Sequence, residues 1–356
     1  MSAKINLVVA SALLIAVCGS APARADEPSP GDHEQAKAAV VQVLGDSIAG
    51  TGFVYDAGRG LVVTTASNIA GQSSHNVLGA GEQQSVPAQL LGSDPCQDLA
   101  VLKVTPPQQG LKDLQFGDSD LVFAHDSITS LGYPDPGDAT ADVTATVGEA
   151  TDEPDLGDVA SSPDYPSVIT HSVEVKPGAA GGPVLNSDGK VVGINTRVFM
   201  EEDSLAGKRH RTSSVAISSN HVKSKLADLA AGAKKNDPGW LLDAVSDPLL
   251  PQDAALAGLP KNSTQDAQKQ LQDEKIDGLF LLDSRKNSPA DSAELQKGAV
   301  ITEVNGKDVS SVSGLCDVLE PASAGDKLNL KGIYSGVGSA GHEFGDSWTA
   351  ELVLGR

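Results

Sequence analysis

The chain has 356 residues, a length that predicts two or three domains, each able to bury its own hydrophobic core. Its 47 acidic residues outnumber its 26 lysines and arginines, which gives a formal net charge of −21 at neutral pH. So acidic a chain repels nucleic-acid phosphates and anionic lipid headgroups, and we expect neither as a partner. We also expect no cofactor and no bound metal.

The first 25 residues are typical of a secretory signal peptide. A lysine precedes an apolar run, and Ala23-Arg24-Ala25 forms the small-residue pattern of a cleavage site. Cleavage after Ala25 removes two cations and no acid, so the net charge becomes −23. We therefore expect a secreted or periplasmic protein. No later apolar run is long enough to span a bilayer, so an uncleaved leader is the alternative that would anchor the chain.

The next stretch predicts a β-rich domain. Residues 26–36 are polar and contain proline, which indicates a flexible lead-in. Between residues 38 and 196, short β-branched runs alternate with Gly, Asp and Pro, a pattern that favours an all-β barrel or sandwich. Residues 135–164 are less regular and are predicted to form loops. Residues 199–214 carry a basic KRHR cluster, which we interpret as a solvated loop or, alternatively, as a docking element.

A helix and a linker are predicted to follow. Ser218 or Ser219 can cap the helix, and Gly232 can end it. Its apolar residues recur with helical spacing at Val222, Leu226 and Leu229. Residues 233–238 then have the composition of a linker.

Motifs in residues 37–232 resemble one protein family. GTGFVYDAGRGLVVT, DLAVLKV, GGPVLN and VVGIN occur in this order, and together they resemble the HtrA (Deg) family of trypsin-like serine proteases. The resemblance implies a mainly β fold with the paired six-stranded barrels of trypsin.

The resemblance places a catalytic triad at three positions, of which two are altered. Asp98, in LGSDPCQDLAVLKV, stands at the aspartate position. The run TTASN aligns with the family's Thr-Asn-Ala-His-Val, which puts Ser67 at the histidine position; a slip of one residue would put Asn68 there. Ala180, in KPGAAGGPVLN, stands at the nucleophile position. Alanine cannot form an acyl-enzyme, and neither a serine hydroxyl nor an amide takes up a proton near neutral pH.

Other site residues follow from the same resemblance. The backbone N–H groups of Gly178 and Ala180 would form an oxyanion hole, which alanine tolerates. Glu174 would either select a basic side chain at the base of a specificity pocket or be an ordinary surface acid. Ser214 and Val215 would lie on the strand edge that pairs with a bound peptide.

Four further side chains carry expectations. His75 is close to Ser67 in sequence and is the alternative base, but we expect it to be a surface histidine. Asp98 is expected to hydrogen-bond Ser67. Cys96 and Cys316 lie in different predicted domains, so a bridge would require those domains to dock in one geometry, and we expect free thiols.

The C-terminal part resembles a PDZ domain of the bacterial, protease-associated type. NSPADSAELQKGAVITEVNGKDV carries this resemblance, which implies one α+β PDZ domain over residues 239–356. GWLLDAV would be the strand beside the peptide groove, and residues 311–319 would be the groove helix. Leu241, Leu242 and Asp243 would line the groove. Leu242 stands where the family has a loop glycine, and a branched side chain followed by Asp243 disfavours capture of a terminal carboxylate.

The sequence therefore predicts a secreted or periplasmic HtrA-like pseudoprotease. It would bind unfolded or extended polypeptides in a quality-control, scaffold or chaperone-like role. One alternative is the regulation of an active HtrA relative by mixed assembly, and another is residual endopeptidase activity through an unrecognised base. The resemblance also implies a homotrimer, although the aromatic contacts expected near the mature N-terminus are not visible.

Overall fold

The computed structural model describes most of the chain beyond the leader. The predicted signal peptide and nearly all of the lead-in lie outside the described residues, as do parts of both irregular segments. The described residues are 35–79, 84–105, 112–134, 142–152, 160–196, 200–203, 208–211 and 214–355.

Six antiparallel strands close the first barrel in the order β1-β2-β3-β6-β5-β4. Their inward residues are mostly valine and leucine, which suit a pleated, tightly packed surface. The strands are β1 Val40–Leu44, β2 Ala49–Asp56, β3 Leu61–Thr64, β4 Asn76–Gly79, β5 Val86–Asp94 and β6 Leu99–Val104.

A second closed barrel follows in the order β10-β11-β14-β9-β8-β7, so the predicted pair of six-stranded barrels is confirmed. Closure pairs each of its strands on both sides. The strands are β7 Ser127–Gly132, β8 Thr144–Thr151, β9 Val168–His171, β10 Pro183–Leu185, β11 Val191–Asn195 and β14 Ser214–Ser218.

Both irregular segments contain regular structure that the sequence pattern did not indicate. Strand β8 lies within residues 135–164, so the prediction of loops is wrong for that part. Within residues 199–214, strands β12 Met200–Asp203 and β13 Lys208–Arg211 form an antiparallel hairpin. The register sets the basic run of β13 opposite the acidic run of β12.

Helix α1, Ser219–Ala230, packs across both barrels and confirms the predicted helix. Val222, Leu226 and Leu229 form its buried stripe. Ser218 occupies the N-cap position without a side-chain cap bond, and its hydroxyl instead meets that of Ser167 at 2.8 Å. Among the described residues, no helix is long and apolar enough to cross a membrane.

The C-terminal sheet has the order β15-β16-β17-β19-β20, with β18 paired to β17. Two helices between β15 and β16, a short one between β16 and β17, and a fourth between β18 and β19 complete the described part of the α+β domain. Its strands are β15 Trp240–Ala244, β16 Leu279–Ser284, β17 Ala299–Val304, β18 Lys307–Asp308, β19 Lys327–Tyr334 and β20 Ser347–Val353. Its helices are α2 Leu250–Leu256, α3 Lys261–Asp273, α4 Pro289–Ser292 and α5 Val312–Leu319.

Cys96 and Cys316 form a disulfide, so the expectation of two free thiols is wrong. Their Cα atoms are 5.6 Å apart, because the C-terminal domain docks on the first barrel and brings helix α5 against the 3-10 turn Pro95–Gln97. The expectation assumed independently placed domains, whereas the docked geometry satisfies the distance that a disulfide requires.

Candidate functional site

Asp98 ends the 3-10 turn Pro95–Gln97, and two local hydrogen bonds fix this turn. The Asp94 side chain accepts the Cys96 N–H at 3.2 Å, and the Asp98 N–H donates to the Pro95 carbonyl at 3.2 Å. Asp98 is 3% exposed and has a φ of 48°, in the left-handed region that is unfavourable for a residue other than glycine. The turn therefore holds a buried carboxylate in a strained position, as is common at functional sites.

Three donors orient the Asp98 carboxylate. Oδ1 accepts the main-chain N–H of Ser67 at 2.8 Å, and Oδ2 accepts the hydroxyls of Thr196 at 3.1 Å and Tyr165 at 3.3 Å. The two hydroxyl oxygens also lie 2.6 Å from each other. These bonds bring together both barrels and the segment that precedes β9.

Ser67 and Asn68, the two residues that alternative alignments place at the base position, have different hydrogen-bond partners. Asp98 does hydrogen-bond Ser67, but through the main-chain N–H; the Ser67 Oγ is buried and meets no hydrogen-bond partner among the described residues. The Asn68 amide instead donates to the Ala180 carbonyl at 2.8 Å and to Thr64 Oγ1 at 3.1 Å. Ser67 is therefore the residue that is hydrogen-bonded to Asp98, while Asn68 joins the first barrel to the loop of Ala180.

Ala180 lies in a loop that the first barrel holds firmly. It is 4% exposed, and its carbonyl accepts the Thr51 N–H at 2.9 Å as well as the Asn68 amide. Gly181 has a φ of +85°, and a Cβ there would overlap the Thr51 carbonyl oxygen, so only glycine fits. The loop is thus kept in one conformation although its side chain at 180 is only a methyl group.

The predicted oxyanion hole lies on the 3-10 turn Pro177–Ala179. The Ala179 N–H donates to the Lys176 carbonyl at 2.8 Å, and the Gly178 carbonyl accepts the Thr51 hydroxyl at 2.6 Å. The first N–H groups of a helical turn have no partner within the turn. An oxyanion hole formed by the N–H groups of Gly178 and Ala180 stays a prediction.

The predicted specificity pocket is not built as expected. Val173 and Val175 are buried and Glu174 between them is exposed, because alternate residues of an extended segment face opposite sides. Glu174 is therefore a surface acid and does not form the base of a pocket. Ser214 and Val215 are buried in β14, which pairs with β11 on one side and β9 on the other. The pairing of β11 with β14 ends at Ala216, so beyond that residue Ser214 and Val215 have strand partners in β9, and the Val215 carbonyl accepts the Thr196 N–H at 3.1 Å. A peptide-binding edge at Ser214 and Val215 therefore stays a prediction.

His75 is buried, at 7% exposed, so the expectation of a surface histidine is wrong. Burial, and secondly the nearby Arg285 guanidinium, lower the pKa of His75 to about 4; Asp46 and Asp237 oppose this shift. Its charged neighbours are these three side chains at the contact between the domains. His75 is therefore a neutral interface residue rather than a replacement for the base beside Asp98.

The predicted PDZ groove residues lie on a strand, which confirms the strand predicted for GWLLDAV. Leu241, Leu242 and Asp243 belong to β15, where Leu242 pairs with Leu281 and Asp243 with Phe280. Placing Leu242 in a carboxylate-binding loop was therefore wrong, because the chain is already extended and paired there. The positive φ of +85° belongs to Gly239, whose N–H donates to the Asp237 side chain at 2.9 Å.

A small cavity of about 70 Å³ separates the Asp98 site from the C-terminal domain. It has room for a few water molecules or one small side chain. One wall belongs to the barrel and the other to the groove, and the lining includes Ser67, Asp98, Tyr165, Leu241, Leu242, Leu315 and Leu319. Within the described ranges, no group of three His, Cys, Asp or Glu residues could hold a metal ion.

Comparisons with known proteins agree with this architecture. The trypsin-like peptidase domain profile matches residues 50–194, and a PDZ domain profile matches residues 282–331. A probable periplasmic serine endoprotease DegP-like from Chlamydia muridarum is 31% identical over 82% of this chain and 52% of its own length. The serine protease Do-like HtrA of Lactobacillus helveticus is 28% identical over 79% of this chain and 64% of its own length.

The chain combines a trypsin-like peptidase domain with a PDZ domain and is similar to HtrA and DegP-like proteases. The serine protease Do-like HtrA of Bacillus subtilis is 27% identical over 82% of this chain and 62% of its own length. The HtrA-like chain thus spans between about half and two thirds of the length of these relatives.

Several site residues of this HtrA-like chain were not predicted from the sequence. Thr196 directly follows the VVGIN motif, so its position offered a signal. Tyr165 directly follows the irregular residues 135–164 and offered none, because only the folded chain brings it to Asp98. Thr51, within GTGF, holds both Gly178 and Ala180 and could have been noticed as a polar residue in a buried strand.

Proposed function

We propose that this HtrA-like chain is a pseudoprotease that binds extended polypeptides outside the cytoplasm without cleaving them. The observation that carries this proposal is Ala180, a methyl group at the nucleophile position of a loop that Thr51 and Asn68 still hold. Covalent catalysis needs a nucleophile and a base, and neither alanine at 180 nor serine at 67 supplies one. The framework persists without the atoms that form an acyl-enzyme.

The proposed binding element is the C-terminal sheet edge. Among the described strands, β15 pairs only with β16, and it lies beside helix α5, an arrangement in which PDZ domains add an extended peptide as a further strand. The Ala244 N–H points away from β16, since it donates to Ser161 instead. This N–H is a donor that an added strand would use.

An extracellular location is part of the proposal. The first 25 residues have the pattern of a cleaved leader, and relatives are named as periplasmic endoproteases. Unfolded or extended exported chains would then be the ligands, in a quality-control role.

Fluorescein-labelled β-casein tests the proposal in purified mature protein, with and without a small dithiol. We expect a rise in fluorescence anisotropy in at least one redox state, while gel electrophoresis shows intact casein. In the dithiol-treated protein, Ala244→Pro removes the outward-facing N–H and should weaken binding about tenfold, the effect of one lost hydrogen bond.

A matched control removes apolar surface elsewhere. Leu121 and Phe123 are 67% and 66% exposed, and Leu121→Ser with Phe123→Ser should leave casein binding unchanged. Failure to bind casein in either redox state would refute the proposed function. So would its cleavage by protein freed of contaminating protease.

A further inference from the structure

The PDZ groove of this chain faces the barrel and holds part of the chain itself. The Ala244 N–H on the edge of β15 donates to Ser161 Oγ at 2.8 Å. The Val312 N–H, at the start of helix α5, donates to the Ala160 carbonyl at 2.7 Å. Residues 160–163, here called the strap, therefore lie between the strand and the helix and occupy donors that a bound peptide would need.

Burial shows how completely the strap closes the groove. Ser161 is 6% exposed and Ser162 is 4% exposed, although both precede a barrel strand by only a few residues. Ala160 packs against the core of the C-terminal domain. A cavity of about 70 Å³ remains between the strap, the barrel and the groove.

The disulfide links helix α5, which forms one side of the groove, to the first barrel. Cys316 lies on helix α5, and Cys96 lies on the turn that ends at Asp98. Beside this bond, the Gln97 amide donates to the Glu320 carboxylate at 3.3 Å. While the bond is intact, helix α5 remains tethered to the barrel beside the strap.

Only non-covalent contacts hold the opposite side. Arg285 pairs with Asp237 of the linker at 3.0 Å, and Asp237 also accepts a hydrogen bond from Ser93 of the barrel. The Lys286 N–H donates to Ser73 Oγ at 3.0 Å. These contacts can keep the two domains associated when the disulfide side is released.

We propose that the Cys96–Cys316 disulfide is a redox latch that keeps the peptide groove closed by the strap, and that a dithiol reductant opens the groove to extended polypeptides. The identification of the ligand as a polypeptide rests on the proposed function. The closure of the groove by the strap and its release on reduction do not depend on it.

The chemistry of opening is thiol–disulfide exchange. One thiolate of the dithiol attacks the Sγ of Cys96 or Cys316, the S–S bond breaks, and a mixed disulfide forms. The second thiol of the reductant then displaces that cysteine. Two electrons and two protons pass to the protein, which holds two thiols, and the reductant ends as a cyclic disulfide. Because Cys96 is 2% and Cys316 8% exposed, attack requires a transient opening of this side.

Hydrogen–deuterium exchange tests the latch without any ligand. The Ala244 and Val312 amides should exchange at least about tenfold faster after dithiothreitol treatment of the full chain. Cys96→Ser with Cys316→Ser should exchange at the faster rate without a reductant, and dithiothreitol should not change it further. Equal exchange in oxidised and reduced wild type would overturn the proposal.

A second variant keeps the disulfide intact. In the oxidised chain, Ser161→Ala removes only the acceptor of the Ala244 N–H and should speed exchange at Ala244 but not at Val312. If the double cysteine variant does not fold, reduction of the wild type after folding gives the same comparison. Protection of Ala244 that survives Ser161→Ala unchanged would contradict the role of the strap.

Labelled β-casein separates the latch from the proposed function. We expect at least about tenfold tighter binding to the reduced wild type and to the double cysteine variant than to the oxidised wild type. Faster exchange without casein binding in any state would support the latch and refute the polypeptide-binding function. Equal casein affinity in both redox states would overturn control of the groove by the latch.

Discussion

The main-chain N–H of Ser67 donates a 2.8 Å hydrogen bond to Asp98 Oδ1, while the Ser67 Oγ is buried and meets no hydrogen-bond partner among the described residues. The Asp98 carboxylate also accepts the hydroxyls of Thr196 and Tyr165. Asp98 therefore links the two barrels by accepting hydrogen bonds from both. The contribution of these bonds can be measured as a change in the free energy of unfolding.

Asp98→Asn should lower the free energy of unfolding by about 1–3 kcal/mol, because an amide nitrogen must face one of three donors and leave it unsatisfied. Urea denaturation measures this loss. Asp188→Asn is the matched control, since Asp188 is exposed on a turn, and it should change stability by less than about 0.5 kcal/mol. Equal, small effects at both positions would mean that the Asp98 contacts do not stabilise the fold.

Two glycines allow the cost of a positive φ to be measured separately from the cost of steric overlap. Gly181 and Gly189 have φ values of +85° and +71°, but a Cβ at 181 would overlap the Thr51 carbonyl, whereas a Cβ at 189 meets nothing within 4 Å. Gly189→Ala should cost about 1 kcal/mol for its conformation alone. Gly181→Ala should cost more than about 3 kcal/mol, because the loop of Ala180 must move. Thermal unfolding of the two variants gives the comparison, and similar costs would contradict a rigid loop.

His75 should make stability depend on pH. Burial lowers its pKa in the folded chain to about 4, below the ordinary value of 6.5, so between these values the unfolded chain binds more protons. The free energy of unfolding should therefore fall as pH falls from about 6.5 to 4, by up to about 3 kcal/mol. His75→Gln should remove this part of the profile.

The difference between the two profiles isolates His75, because Asp94, whose pKa burial raises, titrates in both proteins. His125→Asn is the control, since its side chain is 87% exposed, and its profile should follow the wild type. A His75→Gln profile parallel to that of the wild type would show that His75 does not carry the dependence.

The sequence motifs were sufficient for the two barrels, because the family resemblance that they carry implied this fold. The triad positions that the same resemblance implies stay a prediction. The sequence did not indicate helix α3, whose buried face is Thr264, Ala267, Gln268 and Leu271. Only one of these is a large apolar residue, so hydrophobic periodicity could not show the helix.

Contacts between the domains could not be predicted from local sequence patterns. The burial of His75 and the disulfide both depend on how the C-terminal domain docks, which no local pattern encodes. The prediction of a peptide edge at Ser214 also depends on the closed barrel, since it requires that the pairing of β11 with β14 end before that residue.

The most direct test of the account is hydrolysis by the wild type beside the variant Ser67→His with Ala180→Ser. Casein cleavage and labelling by a serine-directed fluorophosphonate are measured on both proteins, under oxidising and reducing conditions. We expect the wild type to be inert and unlabelled, and the variant to gain label or cleavage, because Asp98 and the loop at 180 remain in place. Reproducible cleavage by the purified wild type would contradict the account and would require a different nucleophile.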